Sequence, residues 1–192
     1  MGHSQAAKAE SRERIIAEAA HQIRRDGLES VSVGSLMRSV GLTHGGFYGH
    51  FDSRSALLAE ALQRALSDGE ARAKANSGGG RRSLAAIARS YLSRSHRDAR
   101  ESGCAIAALA SDVGRADEAA RDVMEARVNA FIDTVAATMG GDDERAMLAV
   151  SAMVGALALA RVITNRERSD TLLRAVRDHL AGMEQEAAKA QA

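Results

Sequence analysis

The chain has no proline and no tryptophan, a single cysteine, and only two tyrosines and three phenylalanines in 192 residues. An average composition would carry roughly ten prolines over this length. Sheet proteins draw on aromatic and β-branched residues and on proline-bearing turns. An aromatic content of 3% therefore argues against a sandwich or a barrel. One cysteine, Cys104, excludes an internal disulfide framework and an all-cysteine metal cluster within the chain. No uninterrupted apolar run reaches the roughly 18 residues that a membrane span needs, so no transmembrane helix and no membrane partner are expected. The opening MGHSQAAKAESRERI lacks the apolar centre of a signal peptide. It also lacks the Ser or Thr that would make Gly2 a myristoylation site. These absences together predict a cytoplasmic protein.

What is present favours helix. Ala, Leu, Arg, Glu and Met dominate, in a chain that is 45% hydrophobic and 27% charged. The expected fold class is all-α, with about nine helices in two domains, residues 1–65 and 66–192. Twenty-six Lys and Arg face 25 Asp and Glu, and residues 1–60 hold seven basic and seven acidic side chains. Net charge gives no reason to expect nucleic acid, so any such case must come from placement.

Ile15, Ala19 and Ile23 recur at helical spacing in a first helix over about 11–25, with Arg24, Arg25 and then Gly27 as the stop. Ser32 is the candidate cap of a short helix over 33–40, whose inner face is Leu36, Met37 and Val40. Gly41 offers a left-handed stop, and Leu42 turns back to the core. Thr43 is the candidate cap of a third helix over 44–50, with Phe47 and Phe51 facing inward. Asp52 or Ser53 caps a fourth, with Leu57, Leu58, Ala61 and Leu62 apolar. A glycine-rich segment near 77–80 reads as a flexible linker. Beyond it lie five expected helical segments, at about 82–100, 103–114, 117–139, 143–165 and 168–188, with Asp117 and Asp142 as candidate caps.

The third helix is the unusual one. Three glycines among seven residues cost about 1 kcal/mol each relative to alanine, so the segment needs anchors and a compensating role. Phe47 and Phe51 are the anchors. A bracing helix, a tight turn and a short presented helix make a helix-turn-helix, whose outer helix fits the major groove of duplex DNA. In that geometry Thr43 and His44 read base edges, while Gly45 and Gly46 allow close approach. Tyr48, His50 and Arg54 grip phosphate, and Gly34 adds a backbone contact.

The segment from about Glu10 to Leu62 resembles the DNA-binding domain of the TetR family of transcriptional regulators. The resemblance rests on Gly41-Leu42-Thr43, Phe47-Tyr48, His50-Phe51, Ser53-Arg54 and Leu57-Leu58. Arg54 stands where the family usually has Lys, and Ser55 where an acidic residue is common. The resemblance implies a homodimer that binds palindromic double-stranded operator DNA, joined through its last two long helices. It further implies a C-terminal domain that takes a small-molecule effector, and regulation most often by repression.

In the last two helices Met147, Val154 and Leu157, then Leu173, Val176, Leu180 and Met183, form an apolar set with a short heptad seam. Paired between subunits they make a four-helix bundle; packed within one subunit they make a core. Arg94, His96, Arg97 and Arg100 read as a solvated basic face. Tyr91, Met124, Phe131 and Met153 fit either a ligand cavity or ordinary core, and Arg161 fits an acidic ligand or a salt bridge. Cys104, at a helix start, fits a redox-sensitive thiol or a small packed residue. No HExxH, CxxC, GxSxG, P-loop or dinucleotide fingerprint is present, so no catalytic residue, metal site or cofactor is expected. The alternative to a DNA-binding regulator is a helical protein-binding adaptor without DNA affinity.

Overall fold

A computed structural model describes residues 2–75 and 83–190. The glycine-rich segment near 77–80 lies outside the described residues. Nine α-helices are present among those described: α1 (Gly2–Asp26), α2 (Val33–Ser39), α3 (Arg54–Ala75), α4 (Leu84–Tyr91), α5 (Arg94–Asp98), α6 (Ala105–Val113), α7 (Glu118–Ala136), α8 (Asp143–Val162) and α9 (Arg166–Ala190). Two 3-10 turns, Leu28–Ser30 and His44–Gly49, complete the N-terminal part.

Local chemistry explains most boundaries. Gly27 ends α1 at φ 90°, a left-handed conformation that suits glycine. Asp117 and Asp142 cap α7 and α8, accepting the Ala120 and Arg145 amides at 3.0 Å. The expected single helix over 82–100 is two helices instead. Its break lies at Leu92, and Ser93 caps α5 by accepting the His96 amide at 3.2 Å. Leu84 and Leu92, at the two ends of α4, are both buried in the second core.

Two cores organise the packing. The first joins α1, α2, the 44–49 turn and α3 to α6 and the start of α7. It extends past residue 65, because Leu66 of α3 shares it with Ile106, Leu109 and Val113 of α6. The second joins α4, the end of α7, α8 and α9. Phe131 of α7 and Val154 of α8 pack against both. Helix α8 has a mean hydropathy of 1.6 and, contrary to the expectation from uninterrupted runs, is long and apolar enough to cross a membrane by length and composition. In the fold it is the central helix of the second core, with Ala146, Ala149, Val150, Met153, Ala156 and Leu157 buried.

Candidate nucleic-acid interface

The helix-turn-helix is built from short-range bonds. At the end of α2, the Leu42 amide reaches back to the Met37 carbonyl at 2.8 Å, and the Gly41 amide to the Arg38 carbonyl at 3.0 Å. This Schellman closure needs a left-handed residue, and Gly41 supplies it at φ 75°. Ser32 and Thr43 lie at the expected boundaries but make no side-chain cap bond. The presented segment is a 3-10 helix, not the α-helix expected over 44–50. Its three glycines lower α-helix stability, and Phe47 and Phe51 on either side of its end both point inward.

Phe47 and Phe51 are almost fully buried and stack at 5.6 Å. Arg12 of α1 lies 4.8 Å over the Phe51 ring, a cation–π contact. The same guanidinium pairs with Glu60 at 2.5 Å and donates to the His50 carbonyl at 3.4 Å. Arg12 therefore locks α1, α3 and the presented turn together, a role its sequence position does not reveal.

Thr43, His44, Gly45, Gly46 and Tyr48 are all exposed, and Tyr48 keeps 71% of its surface in solvent while its ring meets the edge of Phe47 at 5.3 Å. A Cβ on Gly45 would meet open space. Gly34 is more constrained, because a Cβ there would stand 3.2 Å from the His44 imidazole. A glycine at this point of α2 lets His44 lie against the bracing helix. His50 is half-buried, and its Nδ1 is buried with no hydrogen-bond partner among the described residues. Arg54 turns its guanidinium into the domain. It donates to the Val31 carbonyl at 3.0 Å and the Leu28 carbonyl at 3.1 Å, and pairs with Glu29 at 3.3 Å. Ser53 caps α3 by accepting the Ala56 amide at 3.0 Å. Arg38, exposed near the end of α2, joins this face without having been expected there, although the inward set Leu36, Met37 and Val40 already turns position 38 outward.

The second half gathers a different cluster where the two cores meet. Tyr91 donates its hydroxyl to the Cys104 sulfur at 3.0 Å and stacks on Phe131 at 5.5 Å. His96 lies edge-on to Tyr91 at 4.8 Å. Its Nδ1 is 2.7 Å from the Tyr91 carbonyl, and its Nε2 accepts the Cys104 amide at 3.0 Å. That pattern suits the neutral ring protonated at Nδ1. Burial lowers the His96 pKa, with the Tyr91 carbonyl working against it and Arg161 with it. Burial, then Cys104, raises the Tyr91 phenol well above its ordinary value. Arg161 donates to the carbonyls of Arg97 and His96, each at 3.2 Å, and burial lowers its pKa. Met124 lies in the first core and Met153 in the second.

The expected solvated face over 94–100 is only partly so. Arg97 is buried, bonded to Ser169 at 2.9 Å and Asp170 at 2.6 Å, because α9 packs over it. Of the apolar set in the last two helices, Leu157, Leu173 and Leu180 are buried within the protomer. Val154, Val176 and Met183 are half-buried, and Met147 is exposed. Most of that set is thus turned inward, and the exposed apolar surface of α8 is Met147 together with Leu148, Leu159 and Val162.

The halves are joined by polar contacts. Buried Arg24 of α1 donates to the Glu101 carbonyl at 2.6 Å and the Ala65 carbonyl at 3.3 Å, and faces Asp68 at 3.4 Å. Arg72 of α3 donates to the Ser102 carbonyl. Asp112 of α6 accepts the Leu28 amide at 3.1 Å.

Helical throughout its described residues, the chain holds a glycine-rich 3-10 segment outward on two buried phenylalanines, behind a Schellman-closed bracing helix, which is the build of a helix-turn-helix domain. Residues 15–61 match the model of the bacterial regulatory proteins of the tetR family. Over about nine tenths of its length the chain also resembles solved structures, two of them TetR regulators. One is a transcriptional regulator from Cytophaga hutchinsonii, at 18% identity and a TM-score of 0.76, covering 92% of this chain and 96% of that one. Another, from Chloroflexus aurantiacus, shows 21% identity and a TM-score of 0.74 over 92% and 95%. The reduced form of Escherichia coli NemR shows 19% identity and a TM-score of 0.72 over 89% and 95%. No curated protein matches the chain. The N-terminal segment thus matches the tetR-family model, and the chain shares the fold of these solved structures.

Proposed function

We propose that the protein is a cytoplasmic, homodimeric repressor that binds a palindromic operator and is released by a small-molecule effector or by modification of Cys104. The observation that carries the DNA part is the exposed, unobstructed face from Thr43 to Tyr48 on a buried aromatic frame. Thr43 and His44 reach base edges, and Gly45 and Gly46 bring the backbone close. Tyr48 donates to phosphate, as does His50 through Nε2, while Gly34 keeps His44 in place. Arg54, already bonded to two backbone carbonyls, braces the domain from behind.

The dimer face is the apolar side of α8, where Met147, Leu148, Leu159 and Val162 are exposed. An open groove between α8 and α9, lined in part by Leu159, Ile163, Leu172 and Ala175, continues that surface. A second copy of the chain fits it, because a two-fold axis places the same apolar patch on both partners. Two recognition segments then meet half-sites separated by about 34–36 Å or a multiple of it.

Release works through the loop between α5 and α6. Glu101 and Ser102 hold Arg24 and Arg72 of the first three helices, and Cys104 holds His96 and Tyr91. An effector or a thiol adduct that favours another arrangement of Tyr91, Cys104 and Phe131 shifts the loop, and with it the spacing of the recognition segments. Only differential affinity for the two arrangements produces this effect.

Selection from a random duplex pool at two salt concentrations tests the reading. Enrichment of a palindrome, with affinity falling as salt rises, supports it. A folded dimer that enriches no sequence contradicts it and favours the protein-binding adaptor.

A further inference from the structure

A groove of about 470 Å³ runs between the α4–α5 corner and α9. Its walls carry four arginines and one carboxylate: Arg89 and Arg94 on one side, Arg174, Arg177 and Asp170 on the other. Asp170 is already committed, with one oxygen 2.6 Å from buried Arg97 and the other 2.8 Å from Arg94. Among the described residues Arg177 pairs with its exposed chain neighbour Asp178, at 3.0 Å, a kind of contact that holds a guanidinium weakly. Among the described residues, Arg89 and Arg174 have no ion pair.

Guanidinium stays charged at any physiological pH, and its planar fork matches phosphate and carboxylate oxygens two at a time. A concave wall of one charge sign also concentrates counter-ions. The volume falls within the range of about 300–1,000 Å³ typical of small-ligand sites. The spacing of Asp170, Leu173, Arg174 and Arg177 along α9 puts them on one helix face, and buried Leu173 forms the floor.

We infer that this groove binds a small polyanion, one that carries at least two phosphate or carboxylate groups. Two groups are required because the free cations stand on both walls. The site belongs to the second core, whereas the recognition segment is anchored in the first. It is therefore separate from operator binding and is measured without DNA.

The test is calorimetric titration of the full chain with pyrophosphate and, separately, with citrate at low ionic strength. One site per chain is expected, with affinity falling as salt rises. Arg89→Gln/Arg174→Gln should weaken binding by about ten- to a hundredfold. Arg121→Gln, on the exposed face of α7, should leave it unchanged. The single variant Arg174→Gln repeats the test if the double variant melts early. Binding of pyrophosphate alone assigns a phosphate-bearing ligand, of citrate alone a polycarboxylate, and of both a site that selects by charge. Failure of both probes to bind overturns the inference. So does equal weakening by Arg121→Gln, or binding untouched by the groove variants.

Discussion

The presented turn at 44–49 and the last two helices, α8 and α9, solve opposite problems. The turn is intrinsically weak, three glycines in six residues, and is held by what lies beneath it: Phe47, Phe51 and Arg12. Helices α8 and α9 are long and capped, and α8 carries apolar residues on nearly every side, more than one protomer buries. The first region draws on its neighbours' stability to hold an exposed polar surface. The second keeps apolar surface available for a partner. A short element with exposed polar atoms and buried anchors suits a polar ligand, whereas a long helix with leftover apolar area suits an apolar partner surface such as the proposed second copy.

Variants sharpen that contrast in order of effect. Phe47→Ala removes the central anchor and should cost about 3–5 kcal/mol of stability. Thermal unfolding should then show early loss of the N-terminal helices. Leu148→Glu/Leu159→Glu places charges on the exposed face of α8. Sedimentation should show half the mass with helicity retained, and duplex affinity should fall by about a hundredfold or more, because two linked half-site contacts become one. A mass that stays dimeric would move the interface off α8. Tyr48→Ala leaves the fold intact, since the side chain is exposed, and should weaken duplex binding by about 1–2 kcal/mol with a shallower salt slope.

The smallest effect is a pH dependence. His96 has its folded pKa lowered from 6.5 by burial. The unfolded chain therefore takes up a proton first as pH falls below about 6.5, and stability drops from there toward the lowered folded pKa. Melting temperatures measured from pH 7.5 to 5 should decline in this window. His96→Asn should flatten the decline, and an unchanged slope would show that His96 does not titrate on unfolding.

The two regions are unequally legible in the sequence. Gly41-Leu42-Thr43 encodes a turn through bonds that span five residues, so the stop, the inward Phe47 and Phe51 and the Ser53 cap can be read locally. Asp117 and Asp142 are readable for the same reason. The apolar spacing of α8 and α9 announces burial but not the partner, which is why Leu157, Leu173 and Leu180 suit a subunit interface by spacing and a protomer core in the fold. Arg54, Arg97 and Arg12 take their roles from carbonyls, carboxylates and rings roughly 20 to 70 residues away, which no local spacing encodes. The break at Leu92 is hidden because Ser93 caps a helix inside a polar run that gives no change of period. The 3-10 form of the presented turn is hidden because its phenylalanines, four apart, fit an α-helix equally well.

Amide hydrogen exchange of the chain with and without its selected duplex shows most directly whether the presented turn is the DNA-binding element. Exchange should slow over residues 33–50, most strongly from Thr43 to His50, with the exposed face of α8 unchanged because it is already covered in the proposed dimer. Duplex binding that leaves 33–50 unprotected would contradict that assignment.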